Sequence, residues 1–365
     1  MKRDRGKAPK RILVIHPSDE MYGADKVLLE ALRTAPVDAK LEVWLPTDVD
    51  YPRRELSAAL KARGVAFRRL PLAILRRAYM RPKQLPRLFG RFLSSARLLI
   101  KMRPDLVYVN TAAAAPYLPV ARLVGARAVL HLHEYLAGGT KVVAPLLHFA
   151  HSVVAVSQAI VQPVPTRVKR RVKVVRNGFD IASPSELPPF DGGIRCVVAS
   201  RWNAWKGHAV LLQAWEATTR NDLHLEVLGA APESGEVTDV TKIVAGMTRG
   251  SQVTISGQTD DTRSALDRAH VVLVPSVQPD PLPTIAIEAL AAGRCLIGSD
   301  LGGMPEIAGD AGLLVRADDA EAWCETLEKL TEDDIVRYAA RARERFDSEF
   351  TRARFDDEIR EALWT

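Results

Sequence analysis

Cysteine is scarce: Cys196, Cys295 and Cys324 are the three thiols of 365 residues. They are odd in number and far apart, which excludes a disulfide-stapled module and leaves them as reduced core residues. No apolar run approaches the ~18 residues of a membrane span, because Pro145, His148 and His151 break the best candidate. Lys2, Arg3, Arg5 and Lys7 run into a short strand-like segment rather than a cleavable apolar stretch, so no secretory signal is expected and a cytoplasmic protein is. No Gly-X-Gly-X-X-Gly follows a strand, which argues against a nicotinamide enzyme, and no Gly-X-X-X-X-Gly-Lys-Ser/Thr is present. Helix-turn-helix, zinc and RNP-type patterns are missing too, so nucleic acid is not an expected partner.

What is present is ordinary globular composition, 47% hydrophobic and 26% charged, at a length that suits two domains. The net charge of +7 hides a division. Residues 1–185 carry 33 Lys and Arg against 13 Asp and Glu, whereas residues 186–365 carry 18 against 31. The excess is densest over residues 53–103, where 15 basic residues face Glu55 alone. A field of that sign favours an anionic membrane surface or a phosphorylated acceptor.

Short apolar runs alternate with helix-length stretches almost from end to end, the signature of parallel sheets with helical crossovers. Seven strands are expected before residue 176, from Arg11–His16 to Val172–Val175, and six after residue 193, from Ile194–Ala199 to Ala311–Val315. Between them, Asn177-Gly178-Phe179-Asp180 signals a turn, and a Pro- and Gly-rich stretch reads as a linker. The fold class is therefore α/β, with two Rossmann-like doubly wound domains. The boundaries expected are 1–180, a linker at 181–193, 194–348, and a C-terminal helix at 349–365. Ligands of such sheets bind beyond the carboxyl ends of the strands.

Two segments at those ends carry chemistry. Ser200-Arg201-Trp202-Asn203-Ala204-Trp205-Lys206-Gly207-His208 is a strand-to-helix turn holding two cations where the helix dipole already favours an anion, which suits a diphosphate. Pro275 to Leu290 sets Asp280 in a loop and Glu288, eight residues on, inside an apolar helix. An ionised carboxylate there needs hydrogen-bond partners, and vicinal sugar hydroxyls supply them. Trp202 and Trp205 read as helix packing. Asp48-Val49-Asp50 has the form of a metal-binding Asp-X-Asp but reads as surface loop. His131 and His133 share a strand face without a third ligand, so neither pattern predicts a metal. His131 reads as a core residue and His133, at the strand's end, as the functional one.

With Tyr22-Gly23-Ala24-Asp25-Lys26-Val27, His133-Glu134, Ala155-Val156-Ser157, Asn177-Gly178-Phe179-Asp180 and Gly302-Gly303-Met304-Pro305-Glu306, these segments make the chain resemble the retaining glycosyltransferases of family 4. That resemblance implies the GT-B architecture, with two Rossmann-like domains facing each other across a cleft. It implies a cytoplasmic or peripheral membrane enzyme of polysaccharide or glycolipid biosynthesis that moves a sugar from a UDP- or GDP-hexose to a lipid-linked or saccharide acceptor, without metal or other cofactor. It also implies roles: Arg201 and Lys206 on the diphosphate, Glu288 on the ribose, Asp280 and His133 on the transferred sugar. Gly23 would let the first loop approach the donor, Leu282 and Thr284 would lie beside it, and Gly257 and Gln258 would border the base. The sequence departs from the family pattern at Asp280, where Glu is usual, and at Leu282-Pro283, where Phe-Gly is commoner. The competing readings are a nucleotide-sugar epimerase or phosphorylase of this architecture and a non-catalytic nucleotide-sugar-binding partner.

Overall fold

The computed structural model describes residues 10–365 except 22, 77, 78, 80, 137–139, 182, 183, 233, 234 and 260. The expectations placed on Lys2, Arg3, Arg5, Lys7, Tyr22, Arg77 and Ser183 lie outside the described residues. The chain divides into two compact units, residues 1–177 with 353–365, and residues 178–352.

The first unit holds β1 (Arg11–Ile15), β2 (Lys40–Pro46), β3 (Ala66–Leu70), β4 (Leu106–Asn110), β5 (Arg127–Leu132), β6 (Ser152–Ala155) and β7 (Val172–Val174). They form one parallel sheet in the order β3-β2-β1-β4-β5-β6-β7. Strands covered on both faces are near-continuous apolar runs, and all five residues of β4 are buried. The edge strand β3 has no fully buried residue and accordingly carries Arg68 and Arg69. The helix Arg352–Trp364 belongs to this unit: Phe355, Ile359, Ala362, Leu363 and Trp364 recur at helical spacing and enter its core. The Trp364 indole donates to Thr34 Oγ1 at 2.9 Å and its ring meets Tyr108 edge-on at 5.9 Å.

The second unit holds β8 (Ile194–Ala199), β9 (Leu223–Leu228), β10 (Val253–Gly257), β11 (Val271–Val274), β12 (Cys295–Ser299) and β13 (Gly312–Val315), parallel in the order β10-β9-β8-β11-β12-β13. Each sheet reverses its winding once, between β1 and β4 and between β8 and β11. Those are the switch points where a doubly wound sheet offers a ligand crevice.

The structure adds detail to two expectations. The stretch expected to be a linker is, from Ser185 to Pro189, strapped to the second unit. The buried Arg294 guanidinium donates to the Ser185 and Glu186 carbonyls at 3.1 and 3.2 Å, and Arg195 donates to the Pro189 carbonyl at 2.9 Å. The Asp48-Val49-Asp50 segment is a surface loop with Val49 and Asp50 exposed, but the Asp48 side chain turns in, fully buried, and accepts from Arg76 Nε at 2.7 Å. Similar pairs, Arg63–Glu30, Arg68–Glu42 and Arg69–Asp19, neutralise part of the basic excess with acids from elsewhere in the chain. What remains without an ion pair among the described residues is concentrated at Arg81, Lys83 and the helix Leu85–Met102.

Candidate functional site

In the second unit the loop from Ser200 to Gly207 follows β8 and is fixed on both sides. Toward β9, Trp202 N–H donates to the Ala230 carbonyl at 2.9 Å and Ala204 N–H to the Glu236 carbonyl at 2.9 Å. Toward β11, Val277 N–H donates to the Trp205 carbonyl at 2.9 Å. The loop closes on Gly207, whose φ of +79° and close approach to Pro275 exclude any side chain: a Cβ there would lie 1.8 Å from the Pro275 carbonyl oxygen. The helix His208–Ala217 begins immediately after.

This framing aims Lys206. Its Nζ lies 2.7 Å from Asp280 Oδ2 and 4.1 Å from the centroid of the Trp205 ring, with both charged side chains about one-sixth exposed. Trp205 is thus the seat of the cation, a role sequence reasoning denied it, while Trp202 does pack on the core. Asp280 is in turn held by the loop after β12. Gly303 N–H donates to the Asp280 carbonyl at 2.8 Å, and a Cβ on Gly302 or Gly303 would meet Asp280 or Pro281 backbone oxygen at 2.5 or 2.1 Å. Asp280 Oδ1 accepts from Leu282 N–H at 3.3 Å.

Arg201 is exposed at the start of the Lys206 loop. Glu288 is half-buried in the second turn of the helix Thr284–Ala291, between the buried Ile287 and Ala289, and Thr284 opens that helix, exposed. Leu282 is buried. Gly257 ends β10 with φ +70°, its carbonyl accepting from Gly229 N–H at 2.7 Å, and Gln258 beyond it is exposed. All eight expected residues of this unit lie at or beyond the carboxyl ends of its strands. Asn203 Oδ1, His208 Nδ1, Ser276 Oγ and Ser299 Oγ, buried without partners, lie there too. Buried polar atoms are rarely left unpaired without a ligand or water to meet them.

The first unit holds Gly23, exposed at the start of the helix Gly23–Arg33, and His133, half-buried just past β5. His133 Nε2 lies 2.8 Å from Asn110 Oδ1, and the Asn110 amide nitrogen lies 2.8 Å from His16 Nδ1. His16 Nε2 lies 2.7 Å from Asp25 Oδ1, which Ser18 Oγ also contacts. Tyr108 OH bridges Asn110 Oδ1 and His131 Nδ1, both at 2.8 Å. Sequence reasoning missed His16, Asp25, Asn110 and Tyr108 as site residues. The available signal was position: His16 follows β1 and Asn110 ends β4, the two strands at the switch point.

Burial disfavours the charged form of His131, His133 and His208. Desolvation, then His16, pushes His133 down to about 3 against a smaller opposing pull from Asp25, and desolvation, then Lys206, pushes His208 down to about 4. His131 is held well below the ordinary range, again by burial first and by His133 second. Below pH 6.5 the unfolded chain binds protons that these folded imidazoles refuse, so stability is full above that pH and declines as pH falls toward 4. A calorimetric scan series should give a Tm that drops by several degrees from pH 7 to pH 5, before ordinary carboxylates titrate. His208→Gln should flatten that drop; an unchanged slope would contradict the assignment.

Comparisons with known proteins agree with the division into two units. Residues 193–333 match the family model described as glycosyl transferases group 1, and residues 39–183 match glycosyltransferase family 4. The phosphatidyl-myo-inositol mannosyltransferase of Mycolicibacterium smegmatis is 29% identical over 60% of this chain and 66% of its own length. The alpha-maltose-1-phosphate synthase of the same organism is 30% identical over 62% and 67%. The match thus spans about two thirds of each of these relatives. Among solved structures, Anabaena HepE in complex with UDP superposes with a TM-score of 0.80 at 20% identity, over 97% of this chain and 99% of that one. A likeness of that kind establishes the fold.

Proposed function

The chain belongs to the group 1 glycosyltransferases of family 4, built as two GT-B-type Rossmann-like units, and from that premise we propose that it is a retaining, metal-independent hexosyltransferase acting on a UDP- or GDP-sugar. The observation that carries the reading is Lys206, seated between the Trp205 face and the Asp280 carboxylate at the carboxyl edge of the second sheet. A diphosphate oxygen beside that ammonium and the Arg201 guanidinium is neutralised as it leaves. The bond from the anomeric carbon to the phosphate oxygen breaks and its electron pair departs with the diphosphate. The acceptor hydroxyl oxygen then bonds to the anomeric carbon on the face just vacated, and its proton passes to a phosphate oxygen.

In this reading Glu288 holds the ribose hydroxyls. Asp280, with Oδ2 engaged by Lys206, offers Oδ1 to a sugar hydroxyl, and in the first unit His133 contacts a sugar hydroxyl. Gly257 and Gln258 border the base, and Leu282 and Thr284 flank the donor. Incubation with a panel of UDP- and GDP-sugars tests the proposal by nucleoside-diphosphate release. Slow release with one of them is expected. Binding without release, with or without acceptor, would make the chain a non-catalytic binder instead.

The acceptor side of the proposal is lipid-linked. On the helix Leu85–Met102, Leu85, Phe89, Leu93 and Ile100 fall along one exposed stripe, and Arg87, Arg97 and Lys101 lie exposed beside them with no acidic residue in the helix. Such a helix suits the interface of an anionic bilayer, and the relative named for phosphatidyl-myo-inositol supports a phospholipid surface. Vesicle flotation should show binding to phosphatidylglycerol-containing but not neutral vesicles, weakened by salt and by Phe89→Ser or Arg87→Glu. Equal binding to neutral vesicles in high salt would remove the idea.

A further inference from the structure

The polar cluster of the first unit has a direction that its distances alone do not state. The Asn110 amide nitrogen lies 2.8 Å from His16 Nδ1 and 3.4 Å from the Ala24 carbonyl oxygen, and a carbonyl can only accept, which fixes the orientation of the amide. His16 Nδ1 is therefore an acceptor, and its Nε2–H donates to Asp25, a buried carboxylate in the first turn of its helix. On the other side, Asn110 Oδ1 accepts from Tyr108 OH and from His133 Nε2–H. Tyr108, having spent its proton on Asn110, accepts from His131 Nδ1–H, which leaves His131 Nε2 as a buried lone pair without a partner. Every hydrogen bond then has one donor and one acceptor.

The cluster is also closely packed. Tyr108 is pinned by the Trp364 ring, and the His131 and His133 rings lie 4.0 Å apart. The residue after Asn110 is strained: Thr111 has φ 119° and ψ 156°, a region that β-branched residues rarely adopt, and its buried hydroxyl has no partner. Strain of this kind persists only where the surroundings over-determine it, and it collects at functional sites.

We propose that Asn110 is the positioning residue of this site, fixing the ring and tautomer of His133 so that Nδ1 is presented as a lone pair to a hydroxyl of a bound sugar. The proposal rests on the donor-site reading of His133 given above. The groups that face His133 are His16 and Asp25 beyond Asn110, Tyr108, His131, and Glu134 next in the chain, bonded to the Ala112 backbone. An amide among them is neutral at every pH, whereas a carboxylate in its place would favour the imidazolium of His133 and could no longer donate to His16.

The test is long-range nitrogen–proton NMR of the full chain labelled at histidine nitrogens, with the His133 signals assigned by His133→Gln, alongside nucleoside-diphosphate release. The wild type should show His133 as the neutral Nε2–H tautomer from pH 8 to pH 5, without titration. Asn110→Asp should bring its titration into that window and give release an acid limb that the wild type lacks. Asn110→Ala should mix the tautomers and lower kcat about a hundredfold with donor KM changed by less than about threefold. An Nδ1–H tautomer in the wild type, which needs no variant to observe, overturns the proposal. So does an Asn110→Asp variant whose loss of rate is equal at every pH and whose His133 does not titrate. If the tautomer responds as described while no nucleotide sugar is turned over, the positioning role stands and the transferase reading falls.

Discussion

Lys206→Ala lowers nucleoside-diphosphate release by about a thousandfold, the scale on which one charged donor to a developing anion acts in a water-poor site. Two changes combine in that figure. The diphosphate loses the ammonium, and Asp280, whose Oδ2 lies 2.7 Å from that ammonium, is left as an unbalanced carboxylate beside an anionic donor. Replacing both residues, Lys206→Ala with Asp280→Asn, therefore restores about tenfold of the loss, because the repulsion goes although the attraction is not recovered. The fold hardly notices: the pair is partly exposed, and its removal costs about 1 kcal/mol of stability. Steady-state release assays and a thermal melt on the three variants check this. A double variant slower than Lys206→Ala would mean that Asp280 does not oppose the donor.

Gly303→Ala destabilises the second unit by about 3 kcal/mol, as insertion of atoms into a closed contact does. The cause is steric rather than conformational, since φ at Gly303 is an ordinary −83°. Its Cβ would stand 2.1 Å from the Pro281 carbonyl oxygen and 2.9 Å from the carbonyl carbon, both backbone atoms that cannot swing aside. The loop that yields is the one that carries Asp280, which Gly303 N–H also holds at 2.8 Å. A lower denaturation midpoint should thus appear together with weaker donor binding. Gly90→Ala is the control: nothing lies within 4 Å of its Cβ, it is exposed inside a helix, and it should stabilise slightly. If Gly303→Ala melts like the wild type, the packing of these two loops is not as described.

How much of this was legible in the sequence divides along a physical line. The central strands were, because parallel strands buried on both faces are short apolar runs, as in Val271–Val274 and Leu106–Asn110, while the edge strands followed from the regular alternation with helix-length stretches. The candidate residues of the second unit could be picked out because each cluster is contiguous: Arg201 and Lys206 share one turn, and Asp280 and Glu288 share one loop and helix. The Lys206–Asp280 pair was not, since it joins residues 74 apart across the β8–β11 switch point.

The first unit's cluster was hidden for the same reason. His16 and Asn110 are 94 residues apart and become neighbours only because β1 and β4 are adjacent, a strand order that periodicity does not encode. Asp48 misled in the other direction. Its place after an outer strand suggests exposure, which holds for the loop but not for the Asp48 carboxylate, whose partner, Arg76, comes from a loop 28 residues on. The basic segment was overstated likewise, because the acids that balance Arg63, Arg68 and Arg69 precede it in the chain.

Titration calorimetry of UDP- and GDP-sugars into the wild type and an Arg201→Ala, Lys206→Ala variant addresses the transfer chemistry at its root, before acceptor or membrane enters. One donor should bind the wild type, and the variant should bind it at least about a hundredfold more weakly, as loss of two charge-assisted contacts to a diphosphate requires. Equal affinity in the two proteins, or no heat from any nucleotide sugar with the wild type, would contradict a diphosphate site at these residues.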